Sequence, residues 1–293
     1  MDLAMARRRL AGHWGGPVQV AEVYVEHHER VVFRTVTPGG SQVVVKGFAD
    51  PARMEAERVA LRAAGAAGVP VPGVLEHLPG VLVLSWLEGE PLLSASPDRC
   101  WAAAGRTLRR LHRGAAPDGV PGFAGSDEWW GWIRCWLPGA RQRLRELLPA
   151  AVADRLCRVL ESGYVTVEAP PGRLLHGDCM SIHWRIRADG VAGVLDFGDA
   201  CVGDPVWDLV VLTHWDETRL PAVLHGYRAG PRLRARVRRL FAPYRVTRHL
   251  LAVDWLLEHG YDPAPTIREL TRLAGGGISP TGRDRSGWVR RGG

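Results

Sequence analysis

The chain has 293 residues, 46% hydrophobic and 24% charged, with a formal net charge of +7, a balance that fits a globular protein of two packed lobes sharing a cleft. No apolar run approaches the roughly 20 residues of a membrane span, Arg7-Arg8-Arg9 leads into His13-Trp14-Gly15-Gly16 rather than an apolar signal core, and no nucleic-acid-binding motif accompanies the charge. The five cysteines (Cys100, Cys135, Cys157, Cys179, Cys201) are dispersed and never form a CxxC pair, which argues against a disulfide framework or zinc knuckle and for a cytoplasmic protein.

In chain order, residues 20–25 and 31–36 are β-rich runs around Glu26-His27-His28-Glu29-Arg30, and Pro38-Gly39-Gly40 turns into a third run, residues 43–46. Asp50 is a natural N-cap and Pro51 a first helical residue for a helix to residue 67, which Gly68, Pro70 and Pro72 end. A strand over residues 81–85 follows, and Leu87-Glu88-Gly89-Glu90-Pro91 is a connector. Beyond it the pattern turns helical. Ser96-Pro97 opens a helix carrying Trp101, Ala104, Leu108 and Leu111 on one stripe. Another starts near Ser126, with Asp127 and Glu128 in its first turn, and is interrupted or kinked at Pro138-Gly139. Further helical segments cover residues 150–161, 206–213, 219–229, 232–240 and 245–258. The Gly-, Arg- and Ser-rich tail, residues 275–293, is expected to be disordered.

The chemistry concentrates between His176 and Asp208. Two apolar strands joined by a turn containing Asp189-Gly190 predict a hairpin, whose open ends carry His183 and Asp196. Asp178 lies just upstream. Two carboxylates and an imidazole converging on one volume suit phosphoryl transfer, in which one acid orients the nucleophile and another holds magnesium. Lys46, the sole lysine of the chain, adds an independent point. Glu57 shares an apolar helical stripe with Met54 and Leu61, where an unpaired carboxylate is costly, so Lys46 is its natural partner; Glu55 is the alternative.

His176-Gly177-Asp178, Asp196-Phe197-Gly198 and Gly203-Asp204-Pro205 together resemble motifs of the aminoglycoside phosphotransferase family, which is related to choline and protein kinases. The resemblance covers about residues 18 to 260. It implies an α+β, bilobal protein-kinase-like fold: residues 1–88 as a small antiparallel β-sheet lobe with one helix, and 89–274 as a larger, mainly α-helical lobe. It further implies that Asp178 is the catalytic base, Asp196 a magnesium ligand and Lys46, paired with Glu57, a phosphate contact. Ser85 and Leu87, flanking Trp86, would hold the nucleotide base by their backbone groups, and Asp208 would buttress the catalytic loop, with Asp204 an N-cap. ATP or GTP and Mg2+ are the implied cofactors, and a hydroxyl of a small molecule, in antibiotic resistance or natural-product biosynthesis, is the implied acceptor.

The sequence departs from the family at two places. His183 stands where kinases carry an asparagine ligand of a second magnesium; it could bind metal, donate to phosphate or leave a single metal in the site. The segment 26–30 lacks the small residues that let a backbone cover phosphates, and an exposed turn is the expectation there. Trp129, Trp130, Trp132 and Trp136 read as core. Acceptor-side candidates are Trp215, Asp216 and Glu217, with Asp254 and Glu258 one turn apart, because acidic residues of the large lobe bind substrate amines in aminoglycoside-modifying relatives. Two other functions stay open: a kinase of Ser or Thr in a peptide precursor, and a pseudokinase scaffold, against which the retention of Lys46, Glu57, Asp178 and Asp196 argues.

Overall fold

The computed structural model describes residues 1–120, 126–164, 172–188 and 190–275, so the hairpin residue Asp189 and the tail beyond Gly275 fall outside it, as do the side chains of Asp127 and Trp130. β-branched residues build an antiparallel meander from β1 (Val20–Glu26), β2 (Arg30–Val36) and β3 (Gln42–Phe48). Helix α2 (Pro51–Ala66) follows, then β4 (Val74–Leu78) and β5 (Val81–Ser85), and the strand order is β1-β2-β3-β5-β4.

The two-residue alternation of strands decides what each face buries. Val31, Phe33, Val43, Val45, Val81 and Val83 pack with Ala6 and Leu10 of an N-terminal helix, α1 (Leu3–Trp14). The opposite side chains, Leu82 and Leu84, join Met54, Ala60, Leu61 and Ala64 of α2. Lys46, one residue out of step with Val45, thereby faces α2. Asp50 caps α2 by accepting from Ala52 N–H at 2.8 Å, as its sequence predicts. Helix α1 is an addition to the sequence reading, in which its three arginines hid the Ala6/Leu10 spacing. Asp2 caps it, accepting from Met5 N–H at 2.7 Å.

The rest is mainly helical: β6 (Glu90–Pro91), α3 (Asp98–Leu111), α4 (Ser126–Leu147), α5 (Ala150–Tyr164), β7 (Arg173–Leu175), β8 (Trp184–Arg187), β9 (Gly190–Val194), β10 (Cys201–Gly203), α6 (Pro205–Thr213), α7 (Leu220–Gly226), α8 (Pro231–Glu258) and α9 (Ala264–Ala274). Its short strands form two small antiparallel sheets, β6-β8-β9 and β10-β7. The two helices expected over 232–258 are one. Pro243 lies inside α8 and is buried against Gly163 of α5, where a Cβ would sit 2.1 Å from the proline ring. Packing of that ring offsets the backbone bond it removes.

Two histidines deep in the helical lobe set a pH limit on the fold. His214 and His249 are 3% and 1% exposed, with rings 5.3 Å apart. Burial, and after it the Arg248 guanidinium, pushes His214 down to about 3; burial and His214 hold His249 well below its usual value. A folded-state value below the unfolded one contributes stability above the unfolded value that is lost as acid approaches the folded one. Between pH 6.5 and 5 the expected loss is up to about 2 kcal/mol per imidazole. Urea midpoints across that range check this; a flat profile would contradict it.

Candidate active site

Short strands and one buried carboxylate hold the loop that carries Asp178. β10 returns antiparallel onto β7, pairing Cys201 with Leu175, so the segments 176–178 and 196–200 lie side by side. The open ends of the β8–β9 hairpin meet as expected, with Leu195 N–H donating to His183 C=O at 2.8 Å. Asp208, fully buried on α6, accepts from His176 N–H at 2.8 Å and Gly177 N–H at 3.1 Å, and contacts the His112 ring at 3.0 Å. The Trp207 indole donates to Gly177 C=O at 2.7 Å. Asp204 caps α6 and also accepts from Tyr244 O–H at 2.8 Å.

Gly177 has φ 83°, and a Cβ there would lie 1.8 Å from the Asp199 carbonyl oxygen. Gly177→Ala therefore combines a left-handed backbone with a backbone clash, together worth about 2–4 kcal/mol. The expected outcome is a lowered melting temperature and a pried-open loop; a variant as stable and as active as the parent would contradict the geometry.

Beside this loop stands a charged cluster. Lys46 Nζ donates to Glu57 Oε1 and, at 2.8 Å, to Asp196 Oδ1. Arg30, at the start of β2, donates to the same Asp196 oxygen at 3.0 Å. The side chains of Lys46 and Glu57 are 6% and 0% exposed. Burial alone would raise the Asp196 pKa, but Lys46, Arg30 and His183 outweigh it and hold the carboxylate well below its usual value. Burial raises Glu57 despite Lys46. Asp196 also has φ 61°, a left-handed conformation that an aspartate tolerates at a cost of order 1–3 kcal/mol. Gly198 admits the cluster: a Cβ on it would lie 3.0 Å from Arg30, 3.3 Å from Asp196 and 3.4 Å from Glu57.

Asp178 Oδ1 accepts from Arg248 of α8 at 2.5 Å, and the His183 ring donates through Nδ1 to the Asp178 backbone carbonyl at 2.9 Å. Burial pushes the Asp178 pKa up, yet Arg248, His183 and His176 pull harder and leave it below the usual carboxylate value. Asp178, His183, Asp196, Arg30 and Arg248 all line one cleft of about 1150 Å³. Its far wall is apolar and aromatic, from Trp129, Trp132, Leu251, Trp255 and Leu256. Trp129 is also core, 4% exposed and bonded to Tyr244, so the core expectation and the cleft wall coincide there.

Other expectations fare differently. Ser85 ends β5, its hydroxyl accepting from Gly73 N–H at 2.9 Å, and Leu87 packs under Gly193, so both lie on the link between the sheet and the helical lobe. The acceptor candidates lie elsewhere. None of Trp215, Asp216, Glu217, Asp254 and Glu258 is among the described residues that line the cleft. Asp216 caps a short turn and pairs with Arg219 at 3.2 Å; Glu217 pairs with Arg245; Asp254 pairs with Arg143 at 2.8 Å; Glu258 is exposed, and Trp215 packs on His249. Helical spacing put these acids on α8 and its neighbours but could not say which side of α8 faces the cleft. That side carries Arg248, Leu251, Ala252 and Trp255.

The segment 26–30 is a turn with Glu26 and His28 exposed, as expected, but it does not stand free in solvent. His27 N–H donates to Arg30 C=O at 3.0 Å, closing a tight hairpin without positive-φ residues, so no glycine is required. Its tip packs against α8, with the His27 ring 5.9 Å from Trp255. Burial, and after it His259 and Arg30, lowers His27 to about 4. Sequence reasoning missed Arg30 and Arg248, whose partners lie 166 and 70 residues away.

The model of the phosphotransferase enzyme family matches residues 22–241, a span holding Arg30, Lys46, Glu57, Asp178, His183 and Asp196. The chain belongs to that family. Solved structures of similar fold include macrolide 2'-phosphotransferase MphH from Brachybacterium faecium, 18% identical, covering 95% of this chain and 97% of that one at a TM-score of 0.62. Aminoglycoside 2'-phosphotransferase-IIIa in complex with GDP is 18% identical, with coverage of 94% and 99% and a TM-score of 0.73. Aminoglycoside phosphotransferase APH(4)-Ia with ADP and hygromycin B is 15% identical, with coverage of 94% and 99% and a TM-score of 0.65. No curated protein matches significantly. The phosphotransferase fold is thus the bilobal one expected from the motifs, an antiparallel sheet lobe and a helical lobe.

Proposed function

We propose that this phosphotransferase moves the γ-phosphate of ATP or GTP to a hydroxyl of a small molecule whose bound face is bulky and apolar rather than polycationic. The observation that carries this reading is the wall of Trp129, Trp132, Leu251, Trp255 and Leu256 in the cleft that Asp178 and Asp196 also line, while Asp216, Glu217, Asp254 and Glu258 lie outside it. The carboxylates that do line the cleft are largely engaged by arginines, Asp196 by Arg30, Glu29 by Arg53 and Asp178 by Arg248, which leaves the apolar wall as the feature that selects an acceptor.

On this reading each residue has one task. Asp178, fixed by Arg248 and its loop by His183, accepts a hydrogen bond from the acceptor hydroxyl and takes its proton as the oxygen engages phosphorus. The donor set suits a hard cation: Asp196 is an ionised carboxylate at the cleft, and oxygen ligands are what magnesium selects. A magnesium ion held by Asp196 would supply neutralisation of the phosphate charge. Lys46 and Arg30, now both on Asp196, are placed to turn toward phosphate oxygens. Glu57 keeps Lys46 charged and in position. His183 spends Nδ1 on the Asp178 carbonyl, which leaves Nε2 for a phosphate oxygen or a metal. Ser85 and Leu87 offer backbone groups to the base. The lobe division at residues 88 and 89 follows from the same reading, since the nucleotide would lie under the sheet and the acceptor against α8.

Incubation with Mg2+ and γ-labelled ATP or GTP, and a panel of macrolide, nucleoside and aminoglycoside acceptors, tests the proposal. Labelling is expected on apolar-faced alcohols in preference to aminoglycosides. Preference for aminoglycosides would overturn the acceptor class, and failure of every acceptor together with absent nucleotide binding would overturn the activity.

A further inference from the structure

At the mouth of the cleft three imidazoles from the two lobes converge. His27 and His28 belong to the tip of the β1–β2 hairpin, and His259 follows the last residue of α8. One ligating atom from each lies within 4.8 Å of the others. The rings of His28 and His259 stack 4.9 Å apart, and those of His27 and His259 meet edge to face at 4.6 Å. Glu29 Oε2 lies 3.6 Å from His259 Nε2, held there by Arg53 at 2.9 Å.

Stacking on Trp255, 4.2 Å away, accounts for the His259 ring being buried. It leaves the nitrogens unexplained. The Nε2 atoms of both His27 and His259 are buried without a hydrogen-bond partner, a cost of about 1–3 kcal/mol each. His259 is in the tautomer a metal needs, since Nδ1–H donates to the Trp255 carbonyl at 2.8 Å and leaves the Nε2 lone pair free. At His27 the Nδ1 accepts from Glu29 N–H at 3.2 Å, a long bond. Coordination through Nε2 would put the ring proton on Nδ1 and give up that long bond.

We propose that His27, His28 and His259 form a binding site for a borderline transition-metal cation, zinc above all, that staples the β1–β2 hairpin to the C-terminal end of α8. Three imidazoles select zinc, nickel or copper over the oxygen-seeking magnesium of a phosphoryl-transfer centre. Zinc–nitrogen bonds of about 2.0–2.1 Å in a tetrahedron set ligand nitrogens about 3.3 Å apart, so the exposed His28 ring has only a short swing to make. Glu29 or water completes the four. Because the ligands come from both lobes, the ion pins the hairpin across the cleft, and with it Arg30 three residues from His27.

The probe is Co2+, added to the full chain without nucleotide and followed by its visible ligand-field absorption. The expected result is a saturable signal, displaced by Zn2+, that weakens at least tenfold in His259→Gln and in His27→Gln and persists in Asp196→Asn. Zn2+ should also raise the melting temperature of the parent and of Asp196→Asn but of neither histidine variant. Melting without metal verifies that each variant is folded. No signal in the parent, a signal unchanged by both histidine variants, or a thiolate-to-cobalt band marking a cysteine site such as the exposed Cys135 would each overturn the proposal.

Discussion

Asp178→Asn is expected to lower kcat for phosphoryl transfer roughly 100- to 10,000-fold, the range that a positioned general base supplies, while leaving nucleotide affinity within a few-fold of the parent. Asparagine keeps the shape and a hydrogen-bond acceptor but cannot take the hydroxyl proton, and it removes the ion pair with Arg248. The low proton affinity of Asp178 shapes the expectation further. With a folded pKa below the ordinary carboxylate value it stays ionised throughout the neutral range, so the acid limb of kcat/KM should begin only below about pH 4. Such a weak base contributes more by orienting the hydroxyl than by early proton removal, which a loose transition state tolerates. An active Asp178→Asn enzyme, measured with the best acceptor at saturating nucleotide, would refute the role.

The second large effect concerns Lys46. Lys46→Met is expected to destabilise the fold by roughly 3–5 kcal/mol, because it strands Glu57 with its side chain fully buried and without its only hydrogen-bond donor among the described residues. Glu57 escapes part of that cost by taking up a proton, toward which burial already drives it. The double variant Lys46→Met/Glu57→Leu should recover most of the stability, since an apolar pair fits the sheet–α2 interface without desolvated charge, yet remain inactive. Denaturant unfolding of the single and double variants, with nucleotide titrations alongside, separates the two effects. Recovery of activity in the double variant would show the ion pair to be structural only. Buried ion pairs are weak contributors to net stability, so keeping one beside Asp196 is better explained by what Lys46 does at phosphate.

Much of this site was legible because its parts are local in sequence. The hairpin between His183 and Asp196 needs only a turn and two apolar runs, and the structure joins its ends through Leu195 and His183. Lys46 and Glu57 were found because strand alternation and helical spacing each point a side chain inward, toward the same interface. What could not be read depends on long-range packing. Arg30 meets Asp196 only because the β1–β2 tip folds over the cleft, and composition gave that tip no reason to dock. Arg248 was hidden among the many arginines of α8. The same holds for the acceptor candidates: Asp254 and Trp255 are adjacent, yet one pairs with Arg143 and the other lines the cleft. A helical period gives faces, not neighbours. Helix α1 was missed for a simpler reason, a buried stripe of only Ala6 and Leu10 among arginines.

The central claim is that Lys46 and Asp196 receive the phosphates of a magnesium nucleotide beside Asp178. Calorimetric titration with magnesium and non-hydrolysable analogues of ATP and GTP tests it most directly. Saturable, magnesium-dependent binding of at least one analogue is expected, weakened at least tenfold in Asp196→Asn and little changed in Asp178→Asn. Binding of neither analogue, or binding indifferent to Asp196, would contradict the account.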